Sequence, residues 1–407
     1  MNDYFKLAWR NIWRNKRRTL ITIASIFFAM FFALIMRSMQ DGSYDHWTDS
    51  VVETFTGFIQ VHQDGYWDEQ TINNTFTHHD TIMSSIQDIE NVQAVIPRLE
   101  SFALASSGDQ TKGILVVGIN PEKEKQLTNP ENNLIRGEYL EKGSDGVLVS
   151  SRLAGFLKLD LKDTLTLISQ GYHGVSAAGL FPVTGIIKIP NPELDRRIVY
   201  MALNRAQEFY GAYNQLSAYA INLHDSDKLE KTTAAIRDSI GDNHYEVMDW
   251  KEMNPEMVQA IQSDQASGYI MLGLLYLIIG FGVFGTVLMM TNERKREFGV
   301  MVALGMQKTK LSLIVTLEMF LLGLVGIITG VIGSIPVVTY FKYHPIQLTG
   351  QAAEAIEEYG LEPIMPFNLE FSIYLAQTGV VLLIFFLAII YPVYSITRLN
   401  ESQALRA

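Results

Sequence analysis

Residues 292–310, NERKREFGVMVALGMQKTK, combine five basic side chains with a short apolar pattern. The apolar pattern has the i, i+3, i+4, i+7 spacing of one helix face: Phe298, Met301, Val302 and Gly305. Two small residues, Ala303 and Gly305, would let another protein approach such a helix closely. One chemistry that this segment would allow is therefore recognition of a partner. We find no pairing of a nucleophile with a base and no metal-ligand spacing, and we predict no catalytic residue and no metal site.

Four apolar runs decide the class of protein to which the chain belongs. They cover residues 20–36, 268–290, 311–340 and 372–397. Each run is close to or above the roughly 20 apolar residues that a membrane-spanning helix needs. Glu318 is the one charged residue within them. Because a charge in lipid is costly, Glu318 should face protein or water, either as a coupling contact between helices or with a local partner near the interface.

The distribution of charge predicts the topology. Residues 1–19 carry a net charge of +5 and residues 291–310 carry +3, whereas residues 41–267 carry −16. Basic residues are enriched in cytoplasmic loops, so we expect both termini and the 292–310 loop inside and the acidic block outside. The acidic block indicates a solvated domain and no nucleic-acid partner. On this evidence alone, residues 292–310 could equally be a basic loop that only fixes the topology.

These observations predict nine segments. They are a cytoplasmic amphipathic helix (1–19), a first crossing (20–40), an extracytoplasmic domain (41–267), a second crossing (268–291), a short cytoplasmic helix (292–310), a third crossing (311–340), a short extracytoplasmic loop (341–370), a fourth crossing (371–397) and a cytoplasmic tail (398–407).

The extracytoplasmic block is predicted to be an α+β domain. Short β-rich runs are separated by turn residues: 57–62, 112–119, 145–150, 163–169, 181–189, 196–201 and 217–223. Between them, segments such as TIMSSIQDIE have the spacing of amphipathic helices. Strands mixed with helices favour the α+β class. The fold predicted for the whole chain is therefore four transmembrane helices with a large α+β domain between helices 1 and 2.

Two further groups of residues are expected to contact the membrane or another helix. Trp9 and Trp13 lie on the apolar stripe of the N-terminal segment, as membrane-interface anchors do. Gly326 and Gly330 form a G-x-x-x-G pair in the third crossing and predict close helix packing, within one chain or between two.

The chain resembles the FtsX-like permease family of ABC transporters, which includes the MacB, LolC and LolE proteins. The segment ERKREFGVMVALGMQKTKL is similar to the family's E-R-x-x-E-h-G-h-h-x-A-L-G loop, where h is apolar. The entry LAWRNIWRNKRRTLITIASIFFA, the order of crossings and the tail YPVYSITRLNESQALR also resemble the family. The GFIQVH run and the short third loop are most similar to the LolC/LolE-like branch. The fold implied is a MacB-like periplasmic core domain.

The resemblance implies that the 292–310 segment is a coupling helix that docks on a cytoplasmic ATPase. The residues that match the family motif are Glu293, Arg294, Glu297, Gly299, Ala303, Leu304 and Gly305. The chain has no G-x-x-x-x-G-K-[ST] phosphate loop, so ATP and Mg are expected on a partner ATPase dimer and no cofactor on this chain. A second permease chain, the same or homologous, is expected for the second ATPase subunit.

The function implied is that of a non-catalytic permease in the bacterial inner membrane. Lipoprotein release is the first expectation, with an extracytoplasmic lipoprotein as substrate or acceptor and membrane lipid around the crossings. MacB-like extrusion of a peptide, drug or lipid is an alternative, as is mechanical activation of a cell-wall hydrolase. A membrane-anchored receptor or sensor is an alternative of a different class, and it would not need the 293–305 motif.

Overall fold

The chain forms two compact units in a computed structural model, which describes residues 2–14, 16–241, 244–358 and 361–399. We call them the helical unit (Met1–Tyr44, Ile261–Gln347 and Ile364–Ala407) and the sheet unit (Asp45–Ala260 and Leu348–Pro363). Most of the predicted tail, from residue 400 onward, lies outside the described residues.

Helices account for most of the helical unit and cover parts of the sheet. Within the described residues they are α1 (Asn2–Arg14), α2 (Lys16–Val51), α3 (Tyr66–Glu69), α4 (Asp80–Gln87), α5 (Pro121–Glu124), α6 (Ser151–Leu157), α7 (Leu203–Tyr210), α8 (Leu229–Ile240), α9 (Trp250–Met253), α10 (Pro255–Glu293), α11 (Lys295–Ala303), α12 (Lys308–Tyr343), α13 (Gln351–Glu358) and α14 (Phe371–Thr397).

Four of the described helices, α2, α10, α12 and α14, are long and apolar enough to cross a membrane. The first two extend well beyond their apolar runs, and both passages between the units at Tyr44 and Ala260 fall inside a helix. Polar contacts support these extensions. Arg37 and Asp41 form an i, i+4 ion pair at 2.7 Å, and the Tyr44 hydroxyl donates to an Asp264 carboxylate oxygen at 2.6 Å. The second of these contacts joins α2 to α10 within the helical unit.

The strands are mainly in one mixed sheet. They are β1 (Ile59–Gln63), β2 (Phe76–Thr77), β3 (Val92–Ser107), β4 (Gln110–Ile119), β5 (Leu134–Gly137), β6 (Val147–Ser150), β7 (Thr164–Gln170), β8 (Ser176–Ile187), β9 (Ile198–Ala202), β10 (Gln215–Leu216), β11 (Ala218–Leu223), β12 (Tyr245–Asp249), β13 (Ile346–Gln347) and β14 (Ile364–Met365).

The large sheet has the order β12-β1-β11-β3-β4-β9-β6-β8-β5, and β7 pairs with β3 and β8. Two pairs are parallel, β4 with β9 and β6 with β8. Consecutive residues of β6 enter different apolar clusters: Val147 and Val149 lie in one and Leu148 in another. Because successive side chains of a strand point to opposite faces, this part of the sheet is covered on both faces. The predicted α+β class is confirmed.

The buried Arg98 side chain attaches the end of the first long helix to the centre of the sheet. It pairs with Glu124 of α5, with Nε 3.2 Å from Oε2, and its Nη1 donates to the Phe55 carbonyl oxygen at 2.5 Å. Phe55 belongs to a π-helical turn, Val52–Thr56, that directly follows α2. Burial opposes the charge on Arg98, but the nearby carboxylates of Glu124 and Glu100 outweigh it and raise the Arg98 pKa. Breaking such a buried pair costs about 3–5 kcal/mol.

A buried histidine should make the sheet unit sensitive to acid. His62 of β1 is fully buried and stacks on Tyr66 and Trp67, with ring centroids 5.3 and 5.4 Å away. Burial lowers the pKa of His62 to about 3, whereas an unfolded histidine titrates near about 6.5. Between these values only the unfolded chain binds the proton. The contribution of His62 to the stability of the folded state is therefore lost as the pH falls below about 6.5.

We expect His62→Gln to weaken this dependence on pH. The histidine should cost about 2 kcal/mol at about pH 5 relative to neutral pH, and the variant should lack that difference. The measurement is the melting temperature of the full-length protein in detergent at several pH values. His224→Gln is the matched control, because His224 is exposed. An unchanged fall in melting temperature between neutral and mildly acidic pH in His62→Gln would contradict the assignment.

Candidate functional site

The segment predicted to recognise a partner forms a short helix between two membrane-length helices. The α10 helix ends at Glu293, α11 runs from Lys295 to Ala303, and α12 begins at Lys308. Arg294 has φ −98° and ψ 2°, so the chain breaks its helical path there. Gly305 ends the segment with φ +97°, a left-handed conformation that favours glycine after a helix. Its N–H donates to the Val302 carbonyl oxygen at 2.9 Å.

One face of α11 is buried in the helical unit. Phe298 is only 1% exposed and Gly299 is buried. Phe298 lies in the apolar core of this unit, which also includes Ala8 and Ile12 of α1 and Leu311 of α12. The burial of Phe298 therefore fixes the orientation of α11 about its axis.

The opposite side of the segment is exposed around the turn that follows α11. Leu304 is 83% exposed, the largest exposed fraction of any large apolar side chain among the described residues, and Val300 is 42% exposed. Ala303 and Gly305 are also exposed. The seven motif residues are thus divided between two surfaces. Ala303, Leu304 and Gly305 are free to touch a partner, whereas Arg294 and Gly299 face the interior. Glu293 and Glu297 are also exposed, and Glu297 is paired with Arg14.

The charged residues of the motif join three helices in a chain of ion pairs. Arg294 donates through Nη1 to both carboxylate oxygens of Glu318, at 2.7 and 2.8 Å. Its Nε lies 3.3 Å from Glu297, which accepts a hydrogen bond of 2.6 Å from Arg14 of α1. Partial burial would raise the pKa of Glu297, but hydrogen bonds and charges from Arg14 and Arg294 outweigh it and lower that pKa. We call these residues, Arg14, Glu297, Arg294 and Glu318, the ion-pair chain.

The sequence raised a local partner for Glu318 as one of two possibilities, and Arg294 is that partner. The sequence gave no direct signal for this pair, because Arg294 lies in a loop and Glu318 lies in a crossing. The available clue was a lone acidic residue near one end of an apolar run together with an arginine in the adjoining loop. A cavity of about 230 Å³ lies beside the ion-pair chain and is lined also by Asn11, Thr19 and Glu293. Among the described residues, no group of three or more histidines or carboxylates is arranged to hold a metal ion.

The two tryptophans of α1 are both 43% exposed and lie edge to face, with ring centroids 6.1 Å apart. Ala8 and Ile12, on the same predicted stripe, are instead buried in the core of the helical unit. The stripe thus has a part that packs on the protein and a part, Trp9 and Trp13, that is available to lipid. Their role as interface anchors stays a prediction.

The glycine pair in the third crossing packs within the chain. A methyl group at Gly326 would lie 2.6 Å from Cβ of Ile26, and one at Gly330 would lie 2.7 Å from Cβ of Met30. Both contacts are with α2, so glycine lets α2 and α12 approach closely. In α10, a methyl group at Gly282 or Gly285 would meet nothing within 4 Å in the part of the chain that the structure describes.

The fold and this site define an ABC transporter permease. The family model for the MacB-like periplasmic core domain matches residues 19–239, and the model for the FtsX-like permease C-terminal region matches residues 269–400. The first match covers more than half of the chain, and the chain belongs to this family.

Individual proteins and one solved structure are also similar to this chain. The lipoprotein-releasing system transmembrane protein LolC of Xylella fastidiosa (strain Temecula1 / ATCC 700964) is 22% identical over 77% of this chain and 78% of its own length. The pyoverdine export ATP-binding/permease protein PvdT of Pseudomonas entomophila is 23% identical over 82% of this chain and 51% of its own length. The solved periplasmic region of MacB from Actinobacillus actinomycetemcomitans covers 52% of this chain at 11% identity, with a TM-score of 0.35.

Proposed function

We propose that this chain is the membrane subunit of an ABC transporter that releases lipoproteins from the bacterial inner membrane. A separate ATPase subunit docks on the exposed turn at residues 303–305. The observation that carries the docking claim is the 83% exposure of Leu304 at the end of a helix whose other face is buried. The LolC relatives, similar over about four fifths of their length, favour lipoproteins as the substrate.

The proposed mechanism is mechanical. ATP and Mg bind to the partner ATPase dimer, not to this chain, and closure of that dimer moves the docking turn. A second permease chain serves the second ATPase subunit. The long helices α2 and α10 carry the motion across the membrane to the sheet unit. Both helices are unbroken where the chain passes from one unit to the other, which supports this path.

Extrusion of another amphipathic substrate is the second candidate. Relatives named for the export of pyoverdine and of macrolides are similar over about four fifths of this chain. The sheet unit also holds a cavity of about 500 Å³, lined by Phe55, Trp67 and Phe102 among others, that could receive part of such a substrate. The two candidates differ in the product that leaves the membrane.

Reconstitution tests the proposed function. The chain is purified with any ATPase that stays bound, placed in proteoliposomes and supplied with ATP and an acylated lipoprotein. We expect ATP-dependent appearance of the lipoprotein in the soluble fraction, in the presence of an acceptor for its acyl chains. A non-acylated form of the same lipoprotein is the control. Stimulation of ATP hydrolysis by a small amphipathic compound, with no lipoprotein released, would favour extrusion instead.

Labelling with a membrane-impermeant thiol reagent tests the orientation. The chain has no cysteine of its own, so any labelling of a single-cysteine variant comes from the introduced residue. Ser176 and Gln307 are both exposed. Because basic loops remain in the cytoplasm, we expect Ser176→Cys to react in intact spheroplasts and Gln307→Cys to react only after permeabilisation. The reverse pattern would overturn the orientation.

A further inference from the structure

Glu318 and Arg294 form a buried ion pair at the point where the docking segment meets the third crossing. The Glu318 side chain is 2% exposed and the Arg294 side chain is 9% exposed. Charges removed from water in this way are retained only when their partners are held in good geometry. The pair therefore fixes Arg294, near the start of the docking segment, to α12, at a position about three turns from the start of that helix.

Arg294 also lies at the break between α10 and α11, where a hinge between the two helices would form. Its Nη1 donates a hydrogen bond to Glu318 and its Nε donates one to Glu297. Its guanidinium lies 5.3 Å from the centre of the Phe298 ring. A single side chain thereby joins the break to α11 and to α12, the two helices that follow it. Through Glu297, the same contacts reach Arg14 on α1.

We infer that Arg294 is a positioning residue that makes α1, α11 and α12 move as one body when the ATPase moves the docking turn. The inference rests on the proposed function and refines it. The resemblance to the family motif assigned Arg294 and Glu297 to the docking surface, and the ion-pair chain gives them a different task. They hold the docking turn to the crossings, and residues 303–305 alone contact the ATPase.

Charge reversal tests this assignment. Arg294→Glu and Glu318→Arg each place two like charges at one buried contact, and the double variant Arg294→Glu/Glu318→Arg restores opposite charges. In the single variants we expect ATPase association to persist while product released per ATP falls by about tenfold. The double variant should recover most of that loss. Arg17→Glu is the control, because Arg17 is an exposed arginine in the first turn of α2.

Hydrogen exchange gives a second measurement that needs no transported substrate. Arg294→Lys keeps the charge but cannot bridge two carboxylates with one planar group. Measured on the full chain in nanodiscs, exchange of the α11 amides should accelerate by about tenfold in this variant, because the hinge is released. This result would stand even if the transported product is not a lipoprotein.

Three outcomes would overturn the assignment. Loss of ATPase binding in the single variants would make Arg294 and Glu318 part of the docking surface. Full transport in both single variants would leave the ion pair without a role in coupling. If the single variants fail to accumulate in the membrane, the Arg294→Lys variant tests the assignment in their place. Unchanged hydrogen exchange of the α11 amides in that variant, together with unchanged product released per ATP, would refute the hinge.

Discussion

Replacing Leu304 with aspartate is expected to abolish stable association with the ATPase while the helical unit stays folded. Leu304 is 83% exposed, so the substitution removes little packing within the chain. In the docked complex the same side chain would be buried, and a carboxylate there would lose its hydration without gaining a partner. Anchor residues of this kind typically contribute about 2 kcal/mol or more to association, which corresponds to a loss of about 30-fold or more in affinity.

The measurement is co-purification of the ATPase with the permease, followed by titration of the ATPase on the permease in nanodiscs. Ala303→Glu should behave in the same way, because Ala303 is exposed beside Leu304. Substitutions of Gly305 are less informative, since its φ of +97° would strain any other residue. Leu180→Asp in β8 is the matched control, with a leucine 69% exposed in the sheet unit. Normal ATPase affinity in Leu304→Asp would remove the main support for the docking site.

Insertion of Gly-Ser-Gly-Ser after Gln265 should separate ATP hydrolysis from release of the product. The insertion falls within α10, five residues beyond the passage between the units after Ala260. Here α10 is braced on α2, since Tyr44 donates to Asp264 and a methyl group at Gly268 would collide with Gln40. A flexible insert would break the helix and its bracing. We expect the sheet unit to remain folded, ATP hydrolysis to continue and product released per ATP to fall to background.

The same four residues inserted after Asp109 provide the control. Asp109 is exposed in the turn between β3 and β4, where an insertion disturbs no helix. That variant should release product as the parent does. Full release by the Gln265 insertion variant would argue against mechanical coupling and for a receptor whose sheet unit only binds its ligand.

Much of the fold follows from the periodicity of the sequence, and one central strand shows the limit. Each of the seven predicted β-rich runs overlaps a strand, and the four apolar runs lie on four long helices. The strand β3 pairs with β11, β4 and β7. It was not predicted from the sequence, because Pro97 and Arg98 interrupt its apolar pattern. Both residues are tolerated because of tertiary contacts. Arg98 is neutralised by Glu124, a residue 26 positions away that no local pattern connects with it.

The candidate site shows the same limit. The helical spacing of residues 298–305 predicted a short helix, and α11 ends within that range. The division of the motif into a buried set and an exposed set could not be predicted, because it depends on Glu318, which lies in another helix. A motif read as one binding surface is therefore two surfaces in the folded chain, and only three-dimensional contacts distinguish them.

The sheet unit is made from two separate stretches of chain. This composition determines which residues a chimera between two relatives must include. Its second stretch, Leu348–Pro363, contains α13, and Glu357 of that helix lies 3.9 Å from Arg152 and 3.8 Å from Arg196. A chimera that transplants only residues 45–260 would leave α13 behind in the recipient, facing a foreign surface. An intact sheet unit should therefore transfer between homologues only when both stretches are grafted together, as a matched pair.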